Sequence, residues 1–538
     1  MFIRSEMTLT YAHSVVLAFL TLTGVTLPGE AHVSKPNIVV ILADDSGWGD
    51  LSVYGHASQE WGRLDDMASE GLRFTNFYTS YPICSPSRAS LLTGRLPIRT
   101  GIYRPLGAND IIEVVIPMNT GGLPADELTI AELLKKGGYR TGMVGKWHLG
   151  INKYNSSDGT HLPKNQGFDY VGTNLPFTMA WHCDVNKVHM AAPDTDWCFL
   201  YEGDRVVQQP IDTHFMTGAI VRDAVEFIRS NADGTPFFLY YPMTQTHTDL
   251  GVMPRFKGVS KNGRYGDNVA EMQWAVGEIL DALKEEALEK NTLVIFTSDN
   301  GPHLELCEES GSAGILKGGK GQTWDGGVRV PGIAWWPGTI TPGRTSKVVL
   351  SVTDLLPTFA NLAGIKLPDD RIIDGKSFHR VLLGEHTAKV HDILYFYCDE
   401  RIMAVRYGDF KIHFYTQAVI QTEHYTNERN CVNGVPQKAL LFTCKDCDSP
   451  CVTAHIPPLI YNIENDPSEK FSLPAHNYED VLRNVSRLMA AHSRTLTGIN
   501  KRASELAKPM SDAVVTCCDP PACNCNYPGQ TGKSRSNY

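Results

Sequence analysis

The 538-residue chain carries 49 Lys and Arg against 59 Asp and Glu, a formal charge of −10, with 42% hydrophobic and 20% charged residues. These values describe an ordinary globular protein, long enough to bury a large core and expected to fold as two domains. They exclude a disordered chain, and the absence of basic runs argues against a nucleic-acid partner.

Residues 1–31 read as a secretory signal: Arg4 supplies a basic start, Val15 to Leu22 an apolar run, and Gly29-Glu30-Ala31 a small-x-small cleavage site. The run is short and interrupted by threonine, so a membrane anchor is the weaker reading, and no later stretch approaches the apolar length of a membrane span. A mature chain beginning near His32 is expected, secreted to the extracellular space or sent to lysosomes. The sequons at Asn155 and Asn484 agree with that route. Thirteen cysteines in such a compartment predict disulfides, and the odd count leaves at least one unpaired. They cluster as Cys183 and Cys198, as Cys431, Cys444, Cys447 and Cys451, and as Cys517, Cys518, Cys523 and Cys525. The CxxC at Cys444 could belong to a zinc site, but no nearby histidine or second CxxC completes a tetrahedral set; disulfides are the better reading.

In chain order, Asn37 to Ala43 is an unbroken apolar run, which predicts a strand buried on both faces and hence a parallel sheet. It ends in Asp44-Asp45-Ser46-Gly47. The string CSPSRASLLTGR, Cys84 to Arg95, predicts a short helix with Ser85 as N-cap, Pro86 in the first turn and Gly94 at C′. Cys84 is then expected just outside the positive end of that helix, with Arg88 four residues on. Thr129 and Glu132 form a capping box for a helix to Lys136, ended by Gly137 and Gly138. A strand from Tyr139 to Gly145 leads into Lys146-Trp147-His148. A helix around Ile220, Ala224, Phe227 and Ile228 precedes a strand from Pro236 to Tyr241, with His247 shortly after. Val269, Met272, Val276, Ile279, Leu280 and Leu283 share one helical face, and the strand Leu293 to Ser298 runs into Asp299-Asn300-Gly301. A glycine-rich segment from Gly311 to Gly332 carries Lys317, Lys320 and Arg329. From Asp392 the pattern shifts to short strands at 393–397, 402–406, 410–415 and 459–462, then a helix from Tyr478 to about Ser493. The expected units are a catalytic α/β domain at 32–391, a smaller α+β domain at 392–510 and a cysteine-rich tail at 511–538.

Four apolar strands thus end in polar residues, where open α/β sheets bind ligands. Asp44, Asp45, Asp299 and Asn300 offer only hard oxygens, a set suited to calcium or magnesium rather than zinc. Adjacent residues on a strand face opposite ways, so each pair must lie where its strand turns. Lys146 and His148, two apart, are expected on one side of an extended chain, with Trp147 on the other. Singly, each feature has a plain structural reading as a buried cysteine, a strand cap, a snorkelling lysine or a satisfied core histidine.

The Cys84 to Arg95 string resembles the signature of the sulfatase family, Cys-x-Pro-Ser-Arg followed by Leu-Thr-Gly-Arg. Nearly all of residues 36–510 resembles the animal arylsulfatases of that family, through ADDSGWGD, GKWHLG, THTDL, TSDNG and GGKGQTWDGG. The resemblance implies an α/β fold, an alkaline-phosphatase-like mixed sheet sandwiched by helices, with a smaller C-terminal α+β domain. It implies that Cys84 is oxidised to formylglycine by a formylglycine-generating enzyme, and that the hydrated aldehyde attacks the sulfur of a sulfate ester. Asp44, Asp45, Asp299, Asn300 and residue 84 are implied ligands of Ca2+, with Mg2+ as runner-up. His148 is implied beside the nucleophile, Arg88, Lys146, Lys320 and Thr178 on the sulfate, and His247 as proton donor to the leaving alcohol.

Two departures stand out. Glu60-Trp-Gly-Arg-Leu-Asp65 replaces a usual Thr-Pro-Asn-(Leu/Ile)-Asp run, and the apolar hairpin of a membrane-anchored member is missing between Gly172 and Cys198. Rival readings are a phosphatase or phosphodiesterase on the same fold, or an extracellular-matrix or glycan-binding protein that keeps it. The natural sulfate ester is not legible in the sequence.

Overall fold

The computed structural model describes residues 35–108, 111–178, 199–208, 211–385, 388–417, 431–432, 435–436, 447 and 452–516. The expected signal, Cys183, Cys198, Cys444, Cys451 and the tail from Cys517 lie outside them. Strands β1 (Asn37–Ala43) and β2 (Leu72–Tyr78) precede helix α1 (Cys84–Thr93). Helix α2 (Ile130–Lys136) leads to β3 (Arg140–Lys146) and β4 (Tyr170–Leu175). Then come α3 (Thr213–Ser230), β5 (Phe237–Pro242), α4 (Gly263–Glu285), β6 (Thr292–Ser298) and β7 (Arg329–Trp335).

The large sheet has β6, β1, β5, β3 and β4 side by side and parallel. Antiparallel neighbours flank this centre: β7 and β2 beyond β6, and the short strands Leu200–Glu202 and Arg205–Gln208 beyond β4. The parallel expectation therefore holds for the centre, and the sheet as a whole is mixed. Residues of β1 explain the layering. Ile38, Val40 and Leu42 join one apolar core with Leu91 and Leu92 of α1. Val39, Ile41 and Ala43 join a second core with Ile220 and Phe227 of α3 and Met272, Val276 and Ile279 of α4. A period of two along the strand thus feeds two opposite faces, each covered by helices. Every residue from Ile38 to Ala43 is fully buried, which stabilises the fold by about 1.5–3 kcal/mol for each large side chain.

The capping box forms as expected: Thr129 Oγ1 accepts from Glu132 N at 3.1 Å, and Glu132 Oε2 accepts from Thr129 N at 2.8 Å. The start of α1 differs. The helix begins at Cys84 itself, with Ile83 as N-cap. The Ser85 hydroxyl is engaged elsewhere, accepting from Val115 N at 3.1 Å, so it caps nothing. Pro86 is third in the helix, where its missing N–H still costs no internal bond. Gly94 ends the helix in the left-handed region at φ 67°, as its composition demands.

A four-stranded antiparallel sheet follows: β8 (Ile393–Cys398), β9 (Arg401–Tyr407), β10 (Phe410–Gln417) and β11 (Val452–Asn462), in that order. Helix α5 (Glu479–Arg494) comes next; its Val485 packs with Val405, Ile412 and Ile460 of the sheet. Cys398 is bridged to Cys447, so the CxxC cysteine serves in a disulfide whose partner lies 49 residues away rather than in its own cluster. Among the described residues no helix is long and apolar enough to cross a membrane.

Candidate active site

The carboxyl ends of β1, β3 and β6 converge with the start of α1. Asp44 follows β1 and donates its N–H to Gln245 O at 2.7 Å. Asp45 then adopts φ 61°, a conformation uncommon for a residue with a side chain and found where a site over-determines the backbone. This turn brings both carboxylates into one cluster instead of onto opposite faces. After β6, Asp299 Oδ1 accepts from Asp45 N at 3.1 Å and Asn300 Nδ2 donates to Asp45 Oδ1 at 2.7 Å. Gly301 is required there: an added Cβ would lie 1.8 Å from Gly326 O, so the glycine-rich segment packs directly on this turn.

Three buried cations face the three buried carboxylates. Arg88 Nη2 lies 2.7 Å from Asp299 Oδ2 and 3.3 Å from Asp44 Oδ1, while its Nη1 donates to Lys146 O at 3.0 Å. Lys146 Nζ donates to Asp44 Oδ2 at 2.5 Å, and Lys320 Nζ to Asp45 Oδ2 at 2.6 Å. Cys84 Sγ lies 3.6 Å from Asp44 Oδ1, and His247 Nε2 lies 3.8 Å from Asp45 Oδ2. Ligand atoms of Asp44, Asp45, Cys84 and His247 all lie within 4.8 Å of one another.

His148 reaches the site differently from expectation. Trp147 does turn away, into the core, donating Nε1–H to His161 O at 2.9 Å. His148, however, is not extended: its φ is 60°, and its N–H donates to Pro176 O at 3.1 Å. Phe177 stands edge-on to its ring at 5.2 Å, and both ring nitrogens are buried without a hydrogen-bond partner. Thr178, next after Phe177, is buried as well.

Electrostatics follow from this burial. Desolvation pushes the Cys84 thiol up to about 12, against the pull of Lys146 and Lys320. Burial, with Lys146 and Arg88 nearby, holds His148 far below its ordinary value and therefore neutral. Burial and the Lys320 charge lower His247 to about 3, although Asp45 opposes them. Burial would raise Asp45, but Lys320, His247 and His303 outweigh it and keep the carboxylate ionised. His303, which none of the sequence motifs singles out, follows directly on Asp299-Asn300-Gly301-Pro302; its local signal is its closeness to two candidate ligands.

The donor set suits a divalent cation. Asp44, Asp45, Asp299 and Asn300 present oxygens only, and Asn300 Oδ1 is buried with no hydrogen-bond partner, an orphan acceptor that a cation would satisfy. The three carboxylates and three cations balance, so an added dication leaves the pocket net positive and receptive to an anion.

The sulfatase family model matches residues 36–365, and that for the C-terminal region of aryl-sulfatase matches residues 389–525. The chain belongs to the sulfatase family. An arylsulfatase of Hemicentrotus pulcherrimus is 45% identical over 503 residues, covering 93% of this chain and 88% of the relative. Arylsulfatase A of Homo sapiens is 36% identical over 532 residues, covering 93% and 97%. Among solved structures, the PsFucS1 sulfatase from Pseudoalteromonas sp. superposes with a TM-score of 0.68 at 29% identity, covering 86% and 90%. As a member of this family the chain is a sulfuric ester hydrolase, and its fold is the expected mixed α/β sheet with a C-terminal antiparallel sheet.

Proposed function

We propose that this sulfatase cleaves aryl or carbohydrate sulfate esters at Cys84, converted to formylglycine, with Arg88, Lys146, Lys320, His148 and His247 as its working side chains. The observation that carries the reading is the state of residue 84. A thiol pushed up to about 12 is a poor nucleophile at neutral pH, yet three buried cations, Arg88, Lys146 and Lys320, gather in the same pocket. An aldehyde at this position supplies, as its hydrate, one hydroxyl to attack sulfur and a second whose deprotonation expels sulfate. A cation held by Asp44, Asp45, Asp299 and Asn300, calcium before magnesium, would withdraw charge from the sulfate oxygens.

The remaining work falls to the chain. Arg88, Lys146 and Lys320 exchange carboxylate partners for sulfate oxygens and stabilise the charge developing on them. Neutral His148, with unpartnered ring nitrogens, can take a hydrogen bond from the attacking hydroxyl and so assist its attack on sulfur. His247 protonates the departing alcohol; an anionic ester beside it raises its proton affinity, so binding substrate loads the acid. Thr178, buried next to Phe177, is assigned to binding the sulfate ester.

The domain limits near 391 and 510, the signal at 1–31, a secreted or lysosomal destination and maturation by a formylglycine-generating enzyme belong to the same reading. Neither a phosphatase nor a non-catalytic matrix protein is favoured, because the Cys-x-Pro-Ser-Arg string is intact. Assay of an aryl sulfate against the matching aryl phosphate, with the mass of the residue-84 peptide, tests the reading. Sulfate hydrolysis is expected from the formylglycine-bearing chain; full activity in protein carrying only cysteine would overturn it.

A further inference from the structure

Lys320 hangs on a glycine-rich segment with little regular structure of its own, so something else must set its position. The Lys320 N–H donates to Pro302 O at 2.8 Å, and the Gly321 N–H donates to Pro82 O at 2.8 Å, two residues before Cys84. On its opposite side, the stretch next to Lys320 is held from the C-terminal sheet by Gln417, while Lys411 of the same strand grips Asp325 further along. Gln417, the last residue of β10, is 1% exposed. Its Nε2 donates to Gly321 O at 2.6 Å, and its Oε1 accepts from Thr323 N at 3.0 Å. Its own carbonyl accepts from Trp324 Nε1 at 3.0 Å, and Nε2 also lies 3.5 Å from Sγ of the bridged Cys398.

Gly321, the residue that follows Lys320, is therefore clamped between the Cys84 approach through its N–H and the smaller sheet through its carbonyl. Only a side chain that both donates and accepts can close this pattern, because a carbonyl and an N–H must be met at once. We propose that Gln417 is a positioning residue for the sulfate-binding Lys320: the C-terminal sheet takes part in catalysis because this amide holds the backbone beside that lysine in place. The inference rests on the assignment of Lys320 given above.

The test is a double-mutant cycle on the mature enzyme, reading kcat and KM for an aryl sulfate and the inhibition constant of inorganic sulfate. Gln417→Ala removes both contacts; Gln417→Leu removes them while retaining most of the volume, which separates lost hydrogen bonds from a cavity. A misplaced ammonium should lower kcat/KM at least about tenfold in both variants and weaken sulfate inhibition in parallel. Added to Lys320→Ala, either substitution should cost little more, because its effect passes through the lysine. Losses that multiply in the double variants, or variants of lower thermal stability with unchanged sulfate inhibition, would overturn the proposal and leave Lys320 in place. A Lys320→Ala enzyme with undiminished kcat/KM and sulfate inhibition would instead remove the assignment of Lys320, and this proposal with it.

Discussion

Two side chains allow the sharpest tests. Cys84→Ser would set one hydroxyl beside the same helix start and the same cations. Attack on sulfur can proceed, since the surrounding charges stabilise the transition state whatever the nucleophile. Release should fail, because a serine sulfate lacks the second hydroxyl. The variant is expected to liberate at most about one equivalent of phenol per chain and to keep sulfate on residue 84, read by a rapid burst and by peptide mass. His247 gives a pH signature. With its proton affinity lowered to about 3 by burial and Lys320, the protonated fraction falls tenfold for each pH unit gained above that value. With poorly leaving alcohols, kcat/KM should rise as the pH is lowered from 8 to 5. His247→Ala should flatten this limb and slow such substrates by about 10²–10⁴ while affecting acidic phenols less. An equal loss across a series of phenol leaving groups would reduce His247 to a binding residue.

At the scale of elements, the site is a property of strand ends. β1 and β6 pair in register from Asn37 with Thr292 to Ala43 with Ser298, so the residues that follow each strand emerge together. That register, and the Asp45 turn, gather the oxygens of two sequence motifs lying some 255 residues apart. Removing one should disarm the set: Asp299→Ala leaves Arg88 without its 2.7 Å partner and takes away one anionic oxygen. Its affinity for a divalent cation should fall by more than the about 10–100-fold that a lost outer-shell partner costs, measured as calcium or magnesium per chain after dialysis, with activity falling alongside. These strand ends were legible in the sequence because apolar runs and the polar residues that stop them are local patterns. The start of α1 was not. Ser85 has the chemistry of a cap, but Val115, distant in the chain, claims its hydroxyl.

Across the whole molecule, a buried ion pair joins the small sheet to the glycine-rich segment. Lys411 Nζ of β10 lies 2.6 Å from Asp325 Oδ1, and Tyr78 OH donates to Oδ2 at 2.9 Å. Burial would raise Asp325, but Lys411 and Arg329 hold it down to about 2. A carboxylate depressed in the folded state contributes stability above its unfolded value and loses that contribution as pH falls toward its folded one. Lys411→Met, which strands the charge, should destabilise the protein by about 3 kcal/mol at pH 7, judged by denaturant unfolding. The deficit should shrink between about pH 4 and 2, as Asp325 takes up a proton more readily in the variant than in the parent chain. A deficit constant with pH would mean that lost packing, not stranded charge, is responsible.

Strands, the capping box, Gly94 and the motif residues could all be read from the chain alone, because periodicity and backbone sterics act within a few residues. The all-oxygen character of the ligand set was equally plain, since it is a matter of residue type. Other features depend on distance in space. Lys146 meets Asp44 across 102 residues, Arg88 meets Asp299 across 211, and Lys320 meets Asp45 across 275. Their balance of charge, and the pKa shifts it produces, exist only once the sheet has brought them together in a desolvated space. The left-handed turns at Asp45 and His148, the pairing of Cys447 with Cys398 and the grip of Gln417 on Gly321 have no local signature for the same reason. Each conformation is unfavourable or arbitrary for its own segment and is imposed by partners elsewhere in the fold.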